Sequence, residues 1–350
     1  MNKITIKKAG FLATIQDKGR WGFQQFGMSV AGAMDHYAAR IANILVDNDA
    51  YEAVIEGSLV GPEIEFHCDE VIAVTGGKMN PKINGESIQM WTSIAVKKGD
   101  KLSFSNVADG LSNYIYIAFS RGINVPEVMG SKSTFVRGKL GGFEGRKLEN
   151  GDEIPLGQRD LAATGSYIPR QYIPVYRKDN QIRVIMGPQD DYFTDEGIET
   201  FLNARYKITR EADRMGYRLE GPEIRHKEGA DIISDGIVFG SIQVPGHGLP
   251  IIMMADRATT GGYTKIATVI TPDLSVLAQM TPGGTMNFER VSISQAHEHY
   301  QEYESKFAAI KKFTHANRFE FKKNIRVVYQ ETGSVAANVS SLESVKDGLL

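Results

Sequence analysis

The tetrapeptide Gly-Pro-Glu-Ile occurs twice in this chain of 350 residues, at positions 61–64 and 221–224. Each copy is followed, after six residues, by a segment of β-type composition, and shorter echoes surround both copies in the same order. Because a spacing of 160 residues is far longer than a solenoid repeat, it indicates two domains rather than an array. The chain is also too long for one ordinary core. We therefore predict two related halves.

The two halves are unequal downstream of this repeat. Ser-Ile-Gln at 87–89 recurs at 241–243, but the next shared motif follows 12 residues after Ser87 and 42 residues after Ser241. The second half therefore contains an insertion. Since binding and catalytic residues are often carried by loops on a rigid scaffold, we predict a functional site in it. The alternative is a long hairpin that carries no site.

Glycine, with 36 residues, divides the chain into many short β-type segments, a pattern typical of barrels and sandwiches. Helical periodicity is confined to three places, at 35–46, at 292–313 and, more weakly, at 191–202. Asp35 comes directly before the first helix and is predicted to be its N-cap. The predicted fold class is mostly β, with a few short helices.

Composition argues against several classes of protein. The formal net charge is -2 without a basic stripe, which disfavours nucleic-acid binding. Cys68 is the only cysteine, so we expect no internal disulfide and no thiolate metal cluster. The amino terminus alternates apolar and charged residues, unlike a secretory signal, and no uncharged apolar run reaches the ~18 residues of a membrane span. We expect a cytoplasmic protein that does not bind membranes.

The insertion contains the most informative motif of the chain, where an apolar segment leads into Asp256 and Arg257. An arginine can bind a carboxylate or phosphate through its planar fork, and an aspartate can orient that arginine or accept a proton. We therefore predict that both residues are catalytic. Backbone N–H groups of a glycine turn can form a concavity for an anion. The candidate substrate-binding residues of this turn are Thr259, Thr260, Gly261, Gly262 and Tyr263. The alternative is a surface ion pair beside a glycine turn.

A similar arrangement occurs in the first half, where a strand leads into Gln16, Asp17, a glycine turn and Arg20. These three residues are candidates for substrate binding, and a purely structural role is an equal alternative. The glycine-rich segment 137–146 is interpreted either as a lid or intermolecular contact, or as an irregular turn.

The segment Gly-Ser-Lys-Ser-Thr at 130–134 resembles a phosphate-binding loop only superficially. Ser131 and Pro126 occupy the positions of two required glycines, so we reject this interpretation. No metal site is predicted either. His297 and His299, two residues apart on a predicted helix, point about 200° apart and cannot share a metal ion.

Several motifs together resemble the biotin-dependent carboxyltransferase-like family, which is also called the allophanate hydrolase subunit 2 family. The resemblance covers roughly residues 5–295 and is most specific in the second half. The matching segments are 16–20, 32–35, 42–46, 61–63, 130–134, 141–146, 187–191, 213–219, 241–245, 255–257 and 259–263. One departure is Ala258, where the family commonly has glutamine.

The resemblance implies two tandem cyclophilin-like β-barrel domains. We place them at 1–170 and 171–315, followed by a carboxyl-terminal extension at 316–350 whose last residues are expected to be a frayed end or a contact arm. It also implies that Arg214 and Gln243 join the substrate-binding residues of the second domain.

Within this family, a free-standing chain of this length resembles the KipA branch, which is the C component of 5-oxoprolinases. This implies ATP-dependent opening of 5-oxo-L-proline to L-glutamate together with subunits A and B, the latter being KipI-like, with ATP shared in the complex. Two alternatives stay open. One is carboxyl transfer from carboxybiotin in a urea carboxylase-like system, with biotin on another chain because the Met-Lys-Met tripeptide is absent here. The other is regulation, as an antagonist of the kinase inhibitor KipI.

Overall fold

The computed structural model describes residues 2–105, 113–158, 161–162 and 164–332, with side chains up to residue 317. Within these residues the chain forms twenty strands and four α-helices, which confirms the mostly β prediction. None of the described helices is both long enough and apolar enough to cross a membrane.

The first half is built from two antiparallel sheets. Its strands are β1 (Lys3–Lys8), β2 (Leu12–Gln16), β3 (Val54–Ser58), β4 (Glu63–Phe66), β5 (Glu70–Gly76), β6 (Pro81–Ile83), β7 (Glu86–Ser87), β8 (Ser93–Val96), β9 (Lys101–Phe104), β10 (Tyr114–Phe119) and β11 (Glu153–Pro155). Six strands pair in the order β11-β1-β4-β9-β6-β7, and five pair in the order β2-β3-β10-β5-β8.

The second half closes into a barrel of seven strands in the order β12-β19-β16-β17-β14-β13-β20. Parallel pairing of the first and last strands in sequence, β12 and β20, closes it. A separate two-stranded ribbon is formed by β15 and β18. The strands are β12 (Asp179–Met186), β13 (Tyr206–Ile208), β14 (Gly216–Glu220), β15 (Asp231–Gly236), β16 (Ser241–Gln243), β17 (Ile251–Met253), β18 (Thr260–Tyr263), β19 (Lys265–Val269) and β20 (Thr285–Arg290).

Strand β10 shows why the two halves form one molecule. Ile115, Ile117 and Phe119 point between the two sheets of the first half, into the core that those sheets share. Because side chains alternate across a strand, Tyr114 and Tyr116 point the other way and join a core that continues into the barrel. Helix α1 (His36–Leu45) lies in this second core, against β5 and β10.

The helices agree with the sequence in part. The Asp35 carboxylate accepts a hydrogen bond from the Ala38 backbone N–H at 3.0 Å, which confirms the predicted N-cap of α1. Helix α2 (Asp195–Asn203) begins later than predicted, after the N-cap Thr194. Helix α3 (Thr271–Gln279) was not predicted. Its apolar and polar residues are buried alike, so it lacks the one-sided pattern by which a surface helix is recognised.

Helix α4 (Ile293–Thr332) extends well beyond the predicted end near residue 313. The extension assigned to 316–350 therefore begins inside a helix. The arm or frayed end expected near the carboxyl terminus falls on residues after 332, outside the described part of the chain.

Candidate functional site

Arg214, in the turn before β14, joins the two halves at the centre of the molecule. Its Nε and Nη2 donate hydrogen bonds to the two carboxylate oxygens of Asp256 at 3.0 and 2.8 Å. Nη1 donates to Glu56 in the first half, and Nη2 also donates to the Gly32 carbonyl at 2.8 Å. Arg214 and both carboxylates are buried. This guanidinium is thus occupied by protein groups, and its geometry is that of a positioning residue.

The Glu56 carboxylate continues this network into the first half. It accepts hydrogen bonds from the Met34 backbone N–H at 2.7 Å and from the Tyr116 hydroxyl at 2.8 Å, and that hydroxyl accepts one from the Asp35 N–H at 2.7 Å. Burial raises the pKa of Glu56, and the charge of Arg214 opposes this rise. Burial would lower the pKa of Arg214, but its two carboxylate partners raise it above the ordinary value, so it stays charged.

Arg257 does not share the partner of Arg214. Its Nε donates to the Ile237 carbonyl at 3.2 Å, and Nη1 lies 3.3 Å from the Met254 carbonyl. Among the described residues no carboxylate forms an ion pair with Arg257, although the side chain is only 4% exposed. Burial lowers the pKa of Arg257 to about 10, and the nearby Asp256 opposes this. Nη2 is left without a hydrogen bond to a described residue, so it is available to a ligand.

The Arg257 side chain lines a cleft of about 540 Å³ between the two halves. Its walls are mainly apolar, and in the described part of the chain no Asp, Glu or Lys lines it. Residues from both halves contribute, among them Trp21, His36, Phe239, Arg257, Leu274 and Tyr300. An apolar cleft with one buried cation can select a ligand that combines an apolar body with a carboxylate or phosphate.

His36, the first residue of α1, is the other unusual titratable group of this cleft. The centroid of its ring lies 5.7 Å from that of Phe239. Burial, together with the charges of Arg40 and Arg257, lowers the pKa of His36 to about 4, so the imidazole is neutral near pH 7. Its Nε2 is buried without a hydrogen-bond partner among the described residues.

The three candidates of the first half form a separate cluster around the loop 130–134. The Asp17 carboxylate accepts four hydrogen bonds, from the hydroxyls of Ser131 and Ser133 at 2.6 and 2.5 Å, from the Lys132 backbone N–H at 2.6 Å and from the Gly19 N–H at 2.8 Å. A protein carboxylate thus fills the place that a phosphate would take in a phosphate-binding loop. The geometry agrees with the rejection of that motif.

Gln16 and Arg20 hold the same loop. Gln16 donates to the Thr134 carbonyl at 3.1 Å and accepts a hydrogen bond from the Gly32 N–H at 3.2 Å. Arg20 is fully buried, and its Nη2 donates to the Ser133 carbonyl. A Cβ atom on Gly141 would lie 2.5 Å from this nitrogen, so glycine is required where the segment 137–146 covers Arg20. Apart from a short 3-10 helix at Val136–Gly138, the segment consists of irregular turns.

The prediction of a glycine turn after Arg257 is wrong. Thr260–Tyr263 is the strand β18, and its residues pair with β15, with Gly261 opposite Asp235 and Gly236 opposite Thr260. Neither Gly261 nor Gly262 has a positive φ. Extended strands do not direct successive N–H groups to one point, so this segment does not form the predicted concavity for an anion.

The ribbon nevertheless brings motif residues together. A Cβ on Gly261 would lie 2.6 Å from Nε2 of Gln243, which explains why glycine packs there. Gln243 is buried, and its Nε2 lies 3.4 Å from the Tyr263 carbonyl. The Thr259 carbonyl accepts a hydrogen bond from the Ile237 N–H at 3.0 Å and thereby ties the ribbon to the segment that contacts Arg257. Thr260 and Tyr263 are exposed.

Sequence reasoning missed three residues that the structure brings to these clusters, Glu56, His36 and Lys265. Lys265 is 2% exposed, opposite Gln243 in the barrel, and its Nζ donates to Asp235 at 2.7 Å. Glu56 lies five residues before the repeated tetrapeptide, without a motif of its own. The one available signal was the charge of Glu56 within a segment of β-type composition. Because a charged side chain is rarely buried unless it is paired, this position indicated a buried partner. Within the described residues no group of three or more His, Cys, Asp or Glu is arranged to hold a metal.

Comparison with known proteins agrees with this architecture. The family model described as carboxyltransferase domain, subdomain A and B, matches residues 26–290. The chain is 35% identical over 293 residues to the C component of 5-oxoprolinase from Escherichia coli strain K12, which covers 84% of this chain and 93% of that protein. It is 36% identical over 287 residues to the same component from Haemophilus influenzae, covering 81% of this chain and 90% of the relative.

A second group of relatives is much longer. Urea amidolyase of Saccharomyces cerevisiae is 34% identical over 307 residues, but the match covers only 17% of that protein. The crystal structure of the K. lactis urea amidolyase superposes with a TM-score of 0.83 at 31% identity, over 88% of this chain and 20% of that chain. TTHA0988 superposes with a TM-score of 0.75 at 29% identity, over 83% of this chain and 55% of that one. By sequence and by fold, the chain belongs to the carboxyltransferase subdomain A and B family.

Proposed function

We propose that this chain is the KipA-type component of an ATP-dependent 5-oxoprolinase, and that Arg257 binds the carboxylate of 5-oxo-L-proline. The observation that carries the proposal is a buried arginine without a carboxylate partner in the described chain, in a cleft whose walls are otherwise mainly apolar. The match over 93% and 90% of two proteins named as this component of 5-oxoprolinase supports the choice of reaction.

The chemistry of the cleft suits a small cyclic acid. A carboxylate at Arg257 would complete the hydrogen bonding of its guanidinium and reverse the effect of burial on its pKa. The ring would lie against apolar side chains such as Phe239 and Leu274. Because the cleft contains no acidic side chain in the described chain, nothing there competes with the substrate for the cation. This chain would bind and orient the lactam.

ATP supplies the group that activates the lactam carbonyl, since an amide is a poor electrophile. The one segment of this chain that resembles a phosphate-binding loop does not fit it, because Asp17 already occupies its donors. We therefore place the phosphate-binding groups on the partner subunits, in keeping with ATP shared by the complex. The chain alone should then have no activity.

The test is reconstitution with subunits A and B. Glutamate released from 5-oxo-L-proline is measured with and without ATP, and with each of the three proteins omitted in turn. The proposal predicts release that requires ATP and all three proteins. Undiminished release in the absence of this chain would contradict it.

A second candidate function is carboxyl transfer in a urea carboxylase-like system. The superposition on the K. lactis urea amidolyase, with a TM-score of 0.83 over 88% of this chain, supports it. The carboxyl donor would be biotin carried by another chain. Streptavidin blotting of proteins that co-purify with this chain separates the two functions, because only the second predicts a biotinylated partner.

A further inference from the structure

Ser29 connects the first half of the chain to the backbone of Arg257. Its hydroxyl donates a hydrogen bond of 2.8 Å to the Arg257 carbonyl, across 228 residues of sequence, and the serine is 5% exposed. The other hydrogen bonds of this arginine in the described chain go to carbonyls of the second half, those of Ile237, Met254 and Ala255. The bond from Ser29 therefore fixes the place of Arg257 relative to the first half.

The bond from Ser29 is also the shortest of these hydrogen bonds of Arg257. Those within the second half measure 3.2 Å at the backbone N–H, 3.2 Å at Nε, and 3.3 and 3.5 Å at Nη1. Distances of this size lie at or beyond the upper end of the usual range for N–H···O bonds. The second half alone thus holds the guanidinium weakly, and the contact with the first half has more influence on its position.

The segment that carries Ser29 is itself firmly held. The carbonyl of the next residue, Val30, accepts a hydrogen bond from the Arg20 backbone N–H at 2.8 Å. The Gly32 N–H donates to the Gln16 side chain at 3.2 Å. Gly32 has a φ of 94°, a conformation that glycine adopts without steric cost. Gln16 and Arg20 therefore fix the segment from which Ser29 reaches Arg257.

The position of Arg257 relative to the first half matters because both halves form the cleft. Trp21, Gln24 and His36 of the first half line it together with Arg257. A ligand whose carboxylate is bound at Arg257 therefore lies in a cleft with walls from both halves. Because a displacement of about 1 Å in a binding group weakens its contacts, the hold of Ser29 on Arg257 affects how well a ligand fits.

We propose that Ser29 is a positioning residue for Arg257, through which the first half determines where the substrate carboxylate is bound. The inference rests on the proposed function, since it takes 5-oxo-L-proline as the ligand of Arg257. It also assigns a role to the motif of the first half. Gln16 and Arg20 do not line the cleft, and they act on the site through the segment that carries Ser29.

The test is the affinity of the assembled complex for 5-oxo-L-proline, measured by calorimetry without ATP. Ser29→Ala removes only the hydroxyl. We expect its Kd to be about five-fold higher, the equivalent of one neutral hydrogen bond of about 1 kcal/mol. Ser58→Ala is the matched control, because Ser58 is also 5% exposed, donates to Asn113 at 3.0 Å and does not line the cleft. Its Kd should stay within about two-fold of the wild type. Circular dichroism first checks that each variant is folded.

A double-mutant cycle separates positioning from a general loss of structure. In the Arg257→Gln background the guanidinium that Ser29 positions is absent. Adding Ser29→Ala to that background should therefore change the Kd by less than about two-fold. A purely structural role of Ser29 predicts the same loss of affinity in both backgrounds.

Three outcomes overturn the inference: an unchanged Kd for Ser29→Ala, an equal loss in Ser58→Ala, or a loss that persists in full in the Arg257→Gln background. The proposed function fails separately. A wild-type complex that binds 5-oxo-L-proline but releases no glutamate with ATP refutes the function alone, and the affinities still test Ser29. An active complex whose Kd does not respond to Ser29→Ala refutes this inference alone. A wild-type complex that does not bind 5-oxo-L-proline refutes both.

Discussion

Arg214 and Glu56, which are 158 residues apart in sequence, form a buried ion pair that links the second half of the chain to the first. The same guanidinium holds Asp256, the residue immediately before Arg257. The position of Arg257 at the cleft therefore depends on a residue of the opposite half. A buried pair of this kind contributes mainly to geometry, because the cost of removing two charges from water offsets much of their attraction.

Substitution of Glu56 tests this link. Glu56→Gln keeps the shape of the side chain but leaves part of the buried Arg214 charge uncompensated, so we expect unfolding free energy to fall by about 3 kcal/mol. Urea denaturation measures the change. Glu211→Gln is the matched control, since Glu211 pairs with Arg218 at the surface. This substitution should lower the unfolding free energy by less than about 1 kcal/mol. Equal effects of the two substitutions would show that the Arg214 network does not stabilise the fold.

His36 gives the protein a pH-dependent stability of known sign. In the folded chain its pKa is lowered to about 4, whereas an unfolded histidine takes up its proton near the ordinary value of 6.5. As the pH falls from about 6.5 to 4, the unfolded state gains this proton first, so stability is lost over that range, by about 3 kcal/mol in total.

The measurement is the unfolding free energy of wild type and His36→Gln at several pH values between 4 and 7. The difference in unfolding free energy between wild type and His36→Gln should change across this range, because the variant lacks the titrating group. The exposed His247, replaced by Asn, is the control, and its curve should run parallel to that of the wild type. A constant difference between wild type and His36→Gln would contradict the lowered pKa.

The Asp17 carboxylate is predicted to hold the loop 130–134 in place. Asp17→Asn removes the charge that accepts four hydrogen bonds and should lower the unfolding free energy by about 2 kcal/mol. Thermal melts compare it with Asp69→Asn, an exposed aspartate that accepts one backbone hydrogen bond and should have little effect. A melting temperature as high as that of the control would mean that the loop does not depend on Asp17.

Two adjacent glycines of the ribbon provide an internal comparison. A Cβ on Gly261 would lie 2.6 Å from Nε2 of Gln243 and 2.7 Å from Cδ1 of Ile237, whereas the nearest atom to a Cβ on Gly262 is 3.5 Å away. We expect Gly261→Ala to destabilise the protein by about 1–3 kcal/mol through overpacking, and Gly262→Ala to be close to neutral. Chemical denaturation of both variants tests whether Gly261→Ala is the more destabilising of the two. A larger effect at Gly262 would contradict the packing described here.

The sequence predicted local features well and distant contacts poorly. The N-cap Asp35 and the start of α1 were predictable because the partner N–H lies three residues away. The failure at Thr260–Tyr263 has the opposite cause. Two glycines indicate a turn when read alone, but pairing with β15, about thirty residues upstream, holds them extended. A cross-strand partner so far away leaves no local signal.

The same reasoning applies to the site. The sequence identified Asp256 and Arg257 as site residues, but it did not show that they have different partners. The partner of Asp256 is Arg214, which also binds Glu56, and these contacts form only in the folded chain. The sequence suggested that Asp256 orients Arg257 or accepts a proton. In the structure Asp256 binds Arg214 instead, and the hydrogen bonds of Arg257 within the described chain go to backbone carbonyls. Adjacent residues in a sequence need not share partners, and only the fold shows which guanidinium each carboxylate meets.

The role of Arg257 is tested most directly by the KM of the reconstituted complex for 5-oxo-L-proline with Arg257→Gln in this chain. Loss of a charged hydrogen bond of about 2 kcal/mol predicts a KM about 30-fold higher, with kcat little changed, because binding and not the chemical step is affected. Arg225→Gln, at an exposed arginine that pairs with Glu196, is the control and should leave KM unchanged. A KM for Arg257→Gln equal to that of the wild-type complex would show that Arg257 does not bind the substrate carboxylate.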